Sequence, residues 1–323
     1  MKLKSLCITA FAAALTALTP ASQAAVTLNG PVKLVVTFGA GSGGDVLARS
    51  VAQGLSERIK VPVVVENLPG AGGNIGAAYV ARSKPDGQTL LLVTPGPLVT
   101  NRYLYKTLNY NPEKDLAPVA FIGTYPNILT ASPQSNIKTL DQLLAAAKET
   151  KGGLSYASSG VGTTQHLAGE LLAKETGANL VHVPYKATSA YVTDLAGGQL
   201  PLAFVAQAGV GLINEGKIIP IAVTSKRRSE TLPQIPTFEE LGLKGYSADS
   251  WFALAAAAAT PPEVIDYLNH EINEVIKTPA FQEKAKLQLI DVTPMSPSEF
   301  KTFIDEERGK WTPVIKNLGI SFE

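Results

Sequence analysis

The stretch LVVTFGAGSGGDVLAR, residues 34–49, reads as an apolar strand, a glycine-rich loop (the first loop, residues 38–44) and the start of a helix. Its glycines fit the pattern G-x-G-x-x-G, and Glu66 stands about twenty residues further on, where dinucleotide-binding loops place an acid for the ribose. Asp45, however, directly follows the last glycine. We expect its carboxylate to cap the helix amides itself and to repel a phosphate, which argues against a dinucleotide. Glu66 is then a surface acid at a strand end.

Two further loops repeat this arrangement. PGAGGNIG (the second loop, residues 69–76) and SSGVGTTQH (the third loop, residues 158–166) each precede a predicted helix. Small residues before a helix leave backbone amides approachable and close to the positive end of the helix dipole. If the three loops face one cleft, they form a cradle for a carboxylate, and the hydroxyl groups of the third loop add donors. The alternative is that the glycines only make tight turns between strands and helices.

Composition narrows the class of protein. The 323-residue chain carries 28 basic and 27 acidic residues, a balance without the positive excess that is typical of nucleic-acid-binding proteins. A hydrophobic content of 45% and a charged content of 17% are ordinary for a soluble globular protein. The length suits two domains rather than one small core. We expect a monomer with no nucleic-acid partner.

The N-terminus predicts export. Lys2 and Lys4 precede an apolar run that ends near Leu18, and small residues at positions 22 and 24 mark a cleavage site. Residues 1–24 are therefore predicted to be a signal peptide, and the mature chain is predicted to be periplasmic. Cleavage would remove Cys7, the only cysteine, so the mature chain would have no disulfide, thiol nucleophile or thiolate metal ligand.

Apolar runs alternate with helical patterns along the chain, which predicts an α/β architecture with mainly parallel sheets. Two long extended stretches, residues 116–133 and 247–256, suit strands that cross from one domain to the other. We therefore predict one domain from residues 25–126 and 249–323, and a second domain from residues 127–248. The two would be hinged about the crossing strands.

Local signals refine this plan. Two helix starts carry the S/T-x-x-E capping box, Thr260 with Glu263 and Ser296 with Glu299. Trp251 in the second crossing strand is predicted to be part of the core between the domains rather than a stacking platform for a ligand.

Support for catalysis is thin, because no G-x-S-x-G elbow is present. His166 follows the third loop and could touch a ligand or serve the fold, whereas His182 suits packing in a strand and His270 suits a solvated helix face. Asp45 and Asp194 are the acids nearest the glycine loops, although Asp194 equally suits a surface helix. No histidine or carboxylate spacing predicts a metal site, and no cofactor is expected.

Several blocks resemble the Bug family, the TctC-like periplasmic solute receptors of tripartite tricarboxylate transporters. They are VTFGAGSGGDVLAR, VENLPGAGGNIGAAYVARSKPDGQTLL, YASSGVGTTQHLAGELL, VPYKATSAYVTDLAGGQL, GKIIPIAVTSKRRSETLPQIPTFEELG and WFALAAAAATPPEVIDYLN. The resemblance extends over essentially the whole predicted mature chain. The resemblance implies the type II periplasmic binding protein fold, in which two α/β domains joined by two crossing strands enclose a ligand cleft. It also implies a small carboxylated solute and delivery to the membrane permease subunits of a transporter.

The resemblance further implies contact residues. Backbone groups and bridging waters of the first two loops would hold one carboxylate, and the second domain would read the rest of the solute. The implied contacts in the first domain are Phe38, Gly41, Ser42, Gly43, Gly44, Asp45, Gly72, Gly73 and Asn74. Those in the second domain are Ser158, Ser159, Gly162, Thr163, Thr164, Gln165, Ala187, Thr188 and Ser189.

The chain departs from the family pattern at three positions. Thr37 stands where a proline is usual, Ser42 stands where a glycine is usual, and Val205 stands where many members have an aspartate. The segment around Val205 also reads one residue shorter. The lost acid favours a ligand without an ammonium group, and the sequence leaves open whether Gln207 in this segment touches the solute.

Two rival interpretations remain at this stage. A secreted enzyme could act on a carboxylated substrate with Asp45 or His166, and it would show turnover. A sensor subunit could instead present the solute to a signalling kinase rather than to a permease.

Overall fold

The computed structural model describes residues 26, 28–185 and 188–318. The predicted signal peptide and the predicted contact residue Ala187 lie outside the described residues. Within those ranges, no helix combines the length and the apolar character that crossing a bilayer requires.

The opening stretch folds as its pattern predicts. Strand β1 (Val32–Val36) places Val32, Leu34 and Val36 in an apolar core on one face of the sheet and Val35 in a core on the other face. Helix α1 (Gly43–Ile59) begins in the glycine loop and buries Leu47, Val51 and Leu55, which lie on one face at helical spacing. The loop between the two elements is thus fixed at both ends by buried structure.

The strands form two sheets. In chain order they are β1 (Val32–Val36), β2 (Val63–Asn67), β3 (Thr89–Val93), β4 (Leu116–Tyr125), β5 (Ile128–Ala131), β6 (Leu154–Ser158), β7 (Leu180–Pro184), β8 (Leu202–Val205), β9 (Ile219–Val223), β10 (Ser250–Ala257) and β11 (Asp291–Val292). The first sheet has the order β11-β4-β10-β3-β1-β2, and the second has the order β7-β6-β8-β5-β9.

The helices flank these sheets. They are α1 (Gly43–Ile59), α2 (Asn74–Ala81), α3 (Asn101–Leu104), α4 (Leu140–Glu149), α5 (Thr164–Thr176), α6 (Thr188–Ala196), α7 (Val210–Asn214), α8 (Pro262–Ile276), α9 (Pro279–Leu287) and α10 (Pro297–Leu318). The α/β class and the presence of two sheets agree with the sequence prediction.

The prediction of mainly parallel sheets is wrong. β1 runs parallel to β2 and β3, and β6 runs parallel to β7 and β8, because these strands belong to strand–helix–strand units. The other pairings among the described residues, those of β4, β5 and β10, are antiparallel. These three strands connect the sheets directly, so no crossover helix forces them to run parallel to their neighbours.

The predicted crossing strands exist, with a break in the first. Residues 116–133 divide into β4 in the first sheet and β5 in the second, on either side of Pro126 and Asn127. The second crossing reaches β10 through Ala248 and Asp249.

A buried hydrogen-bond network ties the two crossings together. The side-chain amide of Asn127 donates to the carbonyl of Ala248 (2.8 Å), and its backbone N–H donates to the hydroxyl of Thr224 (2.9 Å). Thr224 in turn donates to the carboxylate of Asp249 (2.8 Å). The network joins both connections to the end of β9, so the crossing between the sheets is a hydrogen-bonded structure rather than a loose linker.

The second crossing carries a carboxyl group with a perturbed pKa. Burial raises the pKa of Asp249 to about 7, against the hydrogen bond from Thr224 and the nearby charge of Lys310, while the charge of Glu307 adds to the rise. Since the shift is upwards, folding favours the protonated form.

The core and the helix starts test two further predictions. Trp251 is buried, packs against Phe121 and Phe300, and donates to the Glu307 carboxylate (3.2 Å), which confirms its core role. Ser296 and Glu299 exchange the two hydrogen bonds of a capping box, as predicted. The other predicted box is wrong.

That second helix, α8, begins at Pro262 with Pro261 in the cap position. Thr260 therefore lies one residue too early to cap it, and its hydroxyl donates to the Ala257 carbonyl instead (2.7 Å). The proline pair sets the helix start, because proline is favoured at the first helical position.

We predict that Asp249→Asn stabilises the protein at alkaline pH. Asp249 has its raised pKa only in the folded state, so wild-type stability falls as the pH rises from about 4 to about 7 and stays lowered above that. The amide keeps an oxygen for Thr224 and does not ionise. We expect a gain of ~2 kcal/mol in the free energy of unfolding at pH 8, vanishing near pH 4, in urea denaturation.

Asp266→Asn on the exposed face of α8 is the matched control and should show no such pH-dependent gain. A gain for Asp249→Asn that is the same at pH 4.5 and pH 8 would contradict the prediction.

Candidate functional site

The first loop is capped by serine rather than by aspartate. The hydroxyl of Ser42 accepts the backbone N–H of Asp45 (3.2 Å), and the backbone of Ser42 is extended, as at other helix N-caps. The expectation that the Asp45 carboxylate caps the helix amides is therefore wrong. Asp45 lies inside the first turn, where its side chain points back across the loop.

Asp45 instead forms the centre of the loop's hydrogen-bond network. The residue is only 3% exposed, and its carboxylate oxygens accept from the N–H of Gly41 (2.9 Å), Nε of Arg49 (3.0 Å) and Nδ2 of Asn67 (2.9 Å). The same Asn67 amide donates to the carbonyl of Phe38 (3.0 Å). The loop is thus fastened to α1 and to the end of β2.

The electrostatics of Asp45 follow from these contacts. Burial raises its pKa, but the hydrogen bonds from Arg49, Gly41 and Asn67 outweigh burial and hold the pKa below its ordinary value. The carboxylate is therefore ionised and fully partnered, which leaves it unsuited to act as a base.

This arrangement leaves two backbone donors in the first turn of α1. Among the described residues, the N–H groups of Gly43 and Gly44 have no acceptor, since the bonds of this turn run to Ser42 and Asp45. Phe38 packs over Gly44, where a Cβ would come within 2.7 Å of the ring, and Phe38 also contacts Phe252 edge-on. The first loop therefore presents bare amides beside an aromatic wall at the positive end of a helix.

The second loop approaches the first from the next strand. Gly73 has φ 91°, and a Cβ there would lie 2.8 Å from the Pro97 ring and 3.2 Å from Thr37. Thr37, the departure from the usual proline, is thus buried against this loop. Asn101 fastens the loop from α3, because its amide donates to the Gly72 carbonyl (3.1 Å) and to the Asn74 side chain (2.6 Å).

Many of the polar groups of the third loop are hydrogen-bonded to one another within the loop. Thr163 caps α5 by accepting the N–H of His166 (3.3 Å) and donates to the Gly160 carbonyl (2.7 Å). Both the backbone N–H and the hydroxyl of Ser159 donate to the side-chain oxygen of Gln165. The N–H of Gly160 donates to the Ser158 hydroxyl (3.1 Å). These amides and hydroxyls shape the loop before any ligand arrives.

A pair of stacked histidines lies beneath the third loop. The rings of His166 and His182 are 3.9 Å apart, Nδ1 of His166 accepts the N–H of Gly162 (3.1 Å), and Nε2 of His182 lies 2.7 Å from the Ser158 hydroxyl. Burial lowers the pKa of His166 to about 3, with His182 adding to the shift, and burial lowers the pKa of His182 to about 4. Both rings are neutral at pH 7 and act as supports of the loop.

Several of the remaining predicted residues lie on α6, and His270 lies on α8. Thr188 and Ser189 begin α6, and buried Tyr191 lies beside both Thr188 and Gln165, whose side chains oppose the rise that burial causes in its pKa. Asp194 accepts the hydroxyl of Tyr185 (2.7 Å). His270 lies on the solvent-exposed face of α8, as predicted.

The two sheets bring these loops together at their carboxyl ends. A Cβ on Gly162 in the third loop would lie 2.7 Å from Leu104 and 3.7 Å from the Asn101 oxygen. A Cβ on Gly43 in the first loop would lie 3.7 Å from the side-chain oxygen of Gln207, which follows β8 of the second sheet. Asn101 and Gln207 thus lie where loops of opposite sheets approach each other.

Sequence reasoning missed the asparagines that hold the loops. Asn67 ends β2 and Asn101 opens α3, and no short motif marks either residue. The position of Asn67 could have indicated its role. Asn67 ends the strand that pairs in parallel with β1, and the carboxyl ends of parallel strands meet at one edge of the sheet.

A separate groove lies at the opposite edge of the first sheet. It has a volume of about 590 Å³ and is lined by Lys33, Tyr79, Arg82 and Asp86 among others, at the amino ends of β1 and β3. Ligands of open α/β sheets bind outside the carboxyl ends of the strands, so the loop cluster is the stronger candidate site. In the described part of the chain, no group of three or more histidine, cysteine or carboxylate side chains is placed to hold a metal ion.

Two α/β sheets joined by a double crossing, with glycine loops facing each other across a cleft, define a two-domain solute-binding protein. A family model described as "Tripartite tricarboxylate transporter family receptor" matches residues 47–320. The chain therefore belongs to this family of receptors, and the resemblance to Bug proteins is confirmed.

Solved structures agree with this assignment. An R. palustris protein solved with adipate is 34% identical, with a TM-score of 0.83, covering 91% of this chain and 99% of that one. The periplasmic binding protein BugD is 32% identical, with a TM-score of 0.81, covering 91% and 100%. MatC from Rhodopseudomonas palustris, solved with bound malate, is 26% identical, with a TM-score of 0.79, covering 89% and 99%.

We predict that Asp45→Ala destabilises the protein by ~2–4 kcal/mol, because it leaves the amide of Asn67 and the N–H of Gly41 without their shared acceptor. Urea unfolding at pH 7 measures the loss. Asp141→Ala, which removes an exposed acid from the first turn of α4, is the matched control and should cost less than 1 kcal/mol. Equal effects of the two substitutions would contradict the role assigned to Asp45.

The histidine pair predicts acid sensitivity. In the folded state both pKa values lie below the ordinary value, so stability is complete above about pH 6.5 and falls as the pH drops towards 3–4. His166→Asn keeps an acceptor near Gly162 but does not titrate. We expect this variant to avoid ~2 kcal/mol of the wild-type loss between pH 7 and pH 5.

The readout is the slope of unfolding free energy against pH in urea titrations. The control is His270→Asn, which replaces an exposed histidine and should keep the wild-type slope. A His166→Asn slope equal to that of wild type would show that His166 is charged in the folded protein.

Proposed function

We propose that this receptor captures a small carboxylated solute between two domains in the periplasm and delivers it to the membrane permease subunits of a tripartite tricarboxylate transporter. The observation that carries the proposal is the pair of unpartnered N–H groups at Gly43 and Gly44, at the positive end of α1. The acids bound by two solved relatives, adipate and malate, support the ligand class.

The carboxylate would lie against the first turn of α1. Ser42 supports this placement, because its hydroxyl oxygen accepts from Asp45 and its own proton remains available to an anion. The second loop would close the cradle with Gly72, Gly73 and Asn74. Asp45 would contribute by fixing the first loop through its hydrogen bonds, and Phe38 would form an apolar side of the site.

The second domain would read the rest of the solute. Its proposed contacts are Ser158, Ser159, Gly162, Thr163, Thr164, Gln165, Thr188 and Ser189, with Ala187 beyond the described residues. Several of these groups already bond within the third loop, so we propose that they present shape and a few remaining polar atoms rather than a second full set of donors.

We propose the domain division and the cellular location on the same basis. Residues 25–126 and 249–323 would form one domain, residues 127–248 would form the other, and the network at Asn127 would act as the hinge. Residues 1–24 would be removed on export to the periplasm, leaving a monomer.

We propose binding without turnover. An enzyme of this fold would need a free base near the carboxylate, whereas Asp45 has three hydrogen-bond donors and His166 is buried with its Nδ1 taken by Gly162. Both side chains are used to hold loops, which supports a receptor.

The test combines a ligand panel with removal of one backbone donor. We expect adipate, malate and related di- and monocarboxylates to raise the melting temperature of the chain 25–323, with stoichiometric binding in calorimetry and no product formed. Stabilisation by sugars or phosphorylated solutes alone would contradict the ligand class.

We predict that Gly43→Pro weakens binding of the best acid at least tenfold. Proline fits the first helical position and the extended backbone of Ser42 before it, but it removes the N–H of residue 43. One charge-assisted hydrogen bond is worth ~1.5–3 kcal/mol. Calorimetric Kd values measure the loss.

The matched control is Gly43→Ala, which adds a side-chain carbon near Gln288 and Gln207 but keeps the amide. We expect it to bind more tightly than Gly43→Pro by about the same tenfold factor. Equal Kd values for the two variants would show that the amide does not touch the solute.

A further inference from the structure

Gln207 occupies the point where the second sheet meets the first loop. It follows β8, which runs parallel to β6, and β6 leads directly into the third loop. The residue before it, Ala206, is buried in the core of the first sheet, so this turn crosses the cleft. The side-chain oxygen of Gln207 lies 3.7 Å from the Cβ position of Gly43.

The carboxamide of Gln207 is incompletely bonded. Its nitrogen Nε2 is buried and has no hydrogen-bond partner among the described residues. The oxygen, rather than this nitrogen, is the carboxamide atom that faces Gly43, so a half-turn of the carboxamide would bring the donor towards the first loop. Buried polar side-chain atoms in native proteins are nearly always hydrogen-bonded, so this one requires an explanation.

The residues around Gln207 do not explain its unpartnered nitrogen. Val205, the departure from the family's aspartate, is fully buried in the core of the second sheet and packs on Gly209. Gln288 approaches the same Cβ position of Gly43 from the first sheet, with its oxygen 2.8 Å away. Of this segment's side chains, the polar one that reaches the first loop is therefore Gln207.

We propose that Gln207 is a specificity-determining residue whose carboxamide hydrogen-bonds the same carboxylate that the amides of Gly43 and Gly44 hold. The inference rests on the proposed carboxylate site. The amides of α1 belong to the first sheet and Gln207 belongs to the second, so one carboxylate group would bridge the two halves of the cleft. A neutral carboxamide suits an anion by donating a hydrogen bond, and it provides no charge for an ammonium group.

The decisive variant is Gln207→Leu, which keeps the side-chain volume and removes the donor. We expect the Kd for adipate and for malate to rise at least tenfold each, by similar factors, because the lost bond serves the carboxylate common to both. We also expect the solute-free variant to melt at the same or a higher temperature, because an unpaired buried amide has been replaced by an apolar group.

Two further variants complete the experiment. Gln288→Leu is the matched control, since it removes the other carboxamide near Gly43, and it should leave both Kd values within twofold of wild type. Gln207→Glu should weaken binding at pH 7.5 more than Gln207→Leu does, because a carboxylate there repels the solute.

The outcomes separate the inference from the function beneath it. If wild type binds no acid in calorimetry, the proposed carboxylate receptor fails. If wild type binds acids and Gln207→Leu binds them equally well, the role of Gln207 fails alone. A Gln207→Leu protein that loses melting temperature but keeps its Kd would identify Gln207 as a packing residue and overturn the inference.

Discussion

The buried carboxylate of Asp45 is the interaction on which the candidate site depends. It collects donors from the loop before α1, from α1 itself and from the end of β2, and a single side chain thereby fixes three elements. Because these donors satisfy its charge, the negative group can lie near the positive helix end without occupying it. Ser42 takes over the capping role and leaves the N–H groups of Gly43 and Gly44 without an acceptor among the described residues.

The separate roles of Ser42 as the helix cap and Asp45 as the centre of the hydrogen-bond network distinguish this loop from a dinucleotide-binding loop with the same glycine pattern. In a nucleotide-binding loop the helix amides receive a phosphate, and an acid beside them would oppose it. Here the acid is turned away, paired with Arg49 and hydrogen-bonded by Asn67, so its charge opposes an anion at the helix end less than a free carboxylate would. The lack of a side chain at Gly44 allows the Phe38 ring to pack directly on the backbone there.

The sequence predicted the α/β class, the two crossings and the three loops, because these depend on local patterns of apolar residues and glycines. Sequence reasoning was wrong or silent about features that depend on contacts between residues far apart in the chain. The roles of Asn67 and Asn101 depend on which strand ends become neighbours, and the mixed sheets depend on how β4, β5 and β10 return. The capping boxes show the same limit on a small scale, since Pro261 and Pro262 displaced one of two equivalent patterns.

A cradle of neutral donors has a consequence for a protein that must also release its solute. In the proposed site, backbone amides and a carboxamide would hold an anion through several moderate hydrogen bonds instead of one desolvated ion pair, so the binding energy would be divided among groups that separate if the domains part. The amides of α1 lie on the first sheet and Gln207 lies on the second. If both bind one carboxylate, the solute has higher affinity for the closed form than for the open form, and by linkage it favours closure to the same degree. A partner that stabilises the open form would then release the solute without having to break any contact of its own with it.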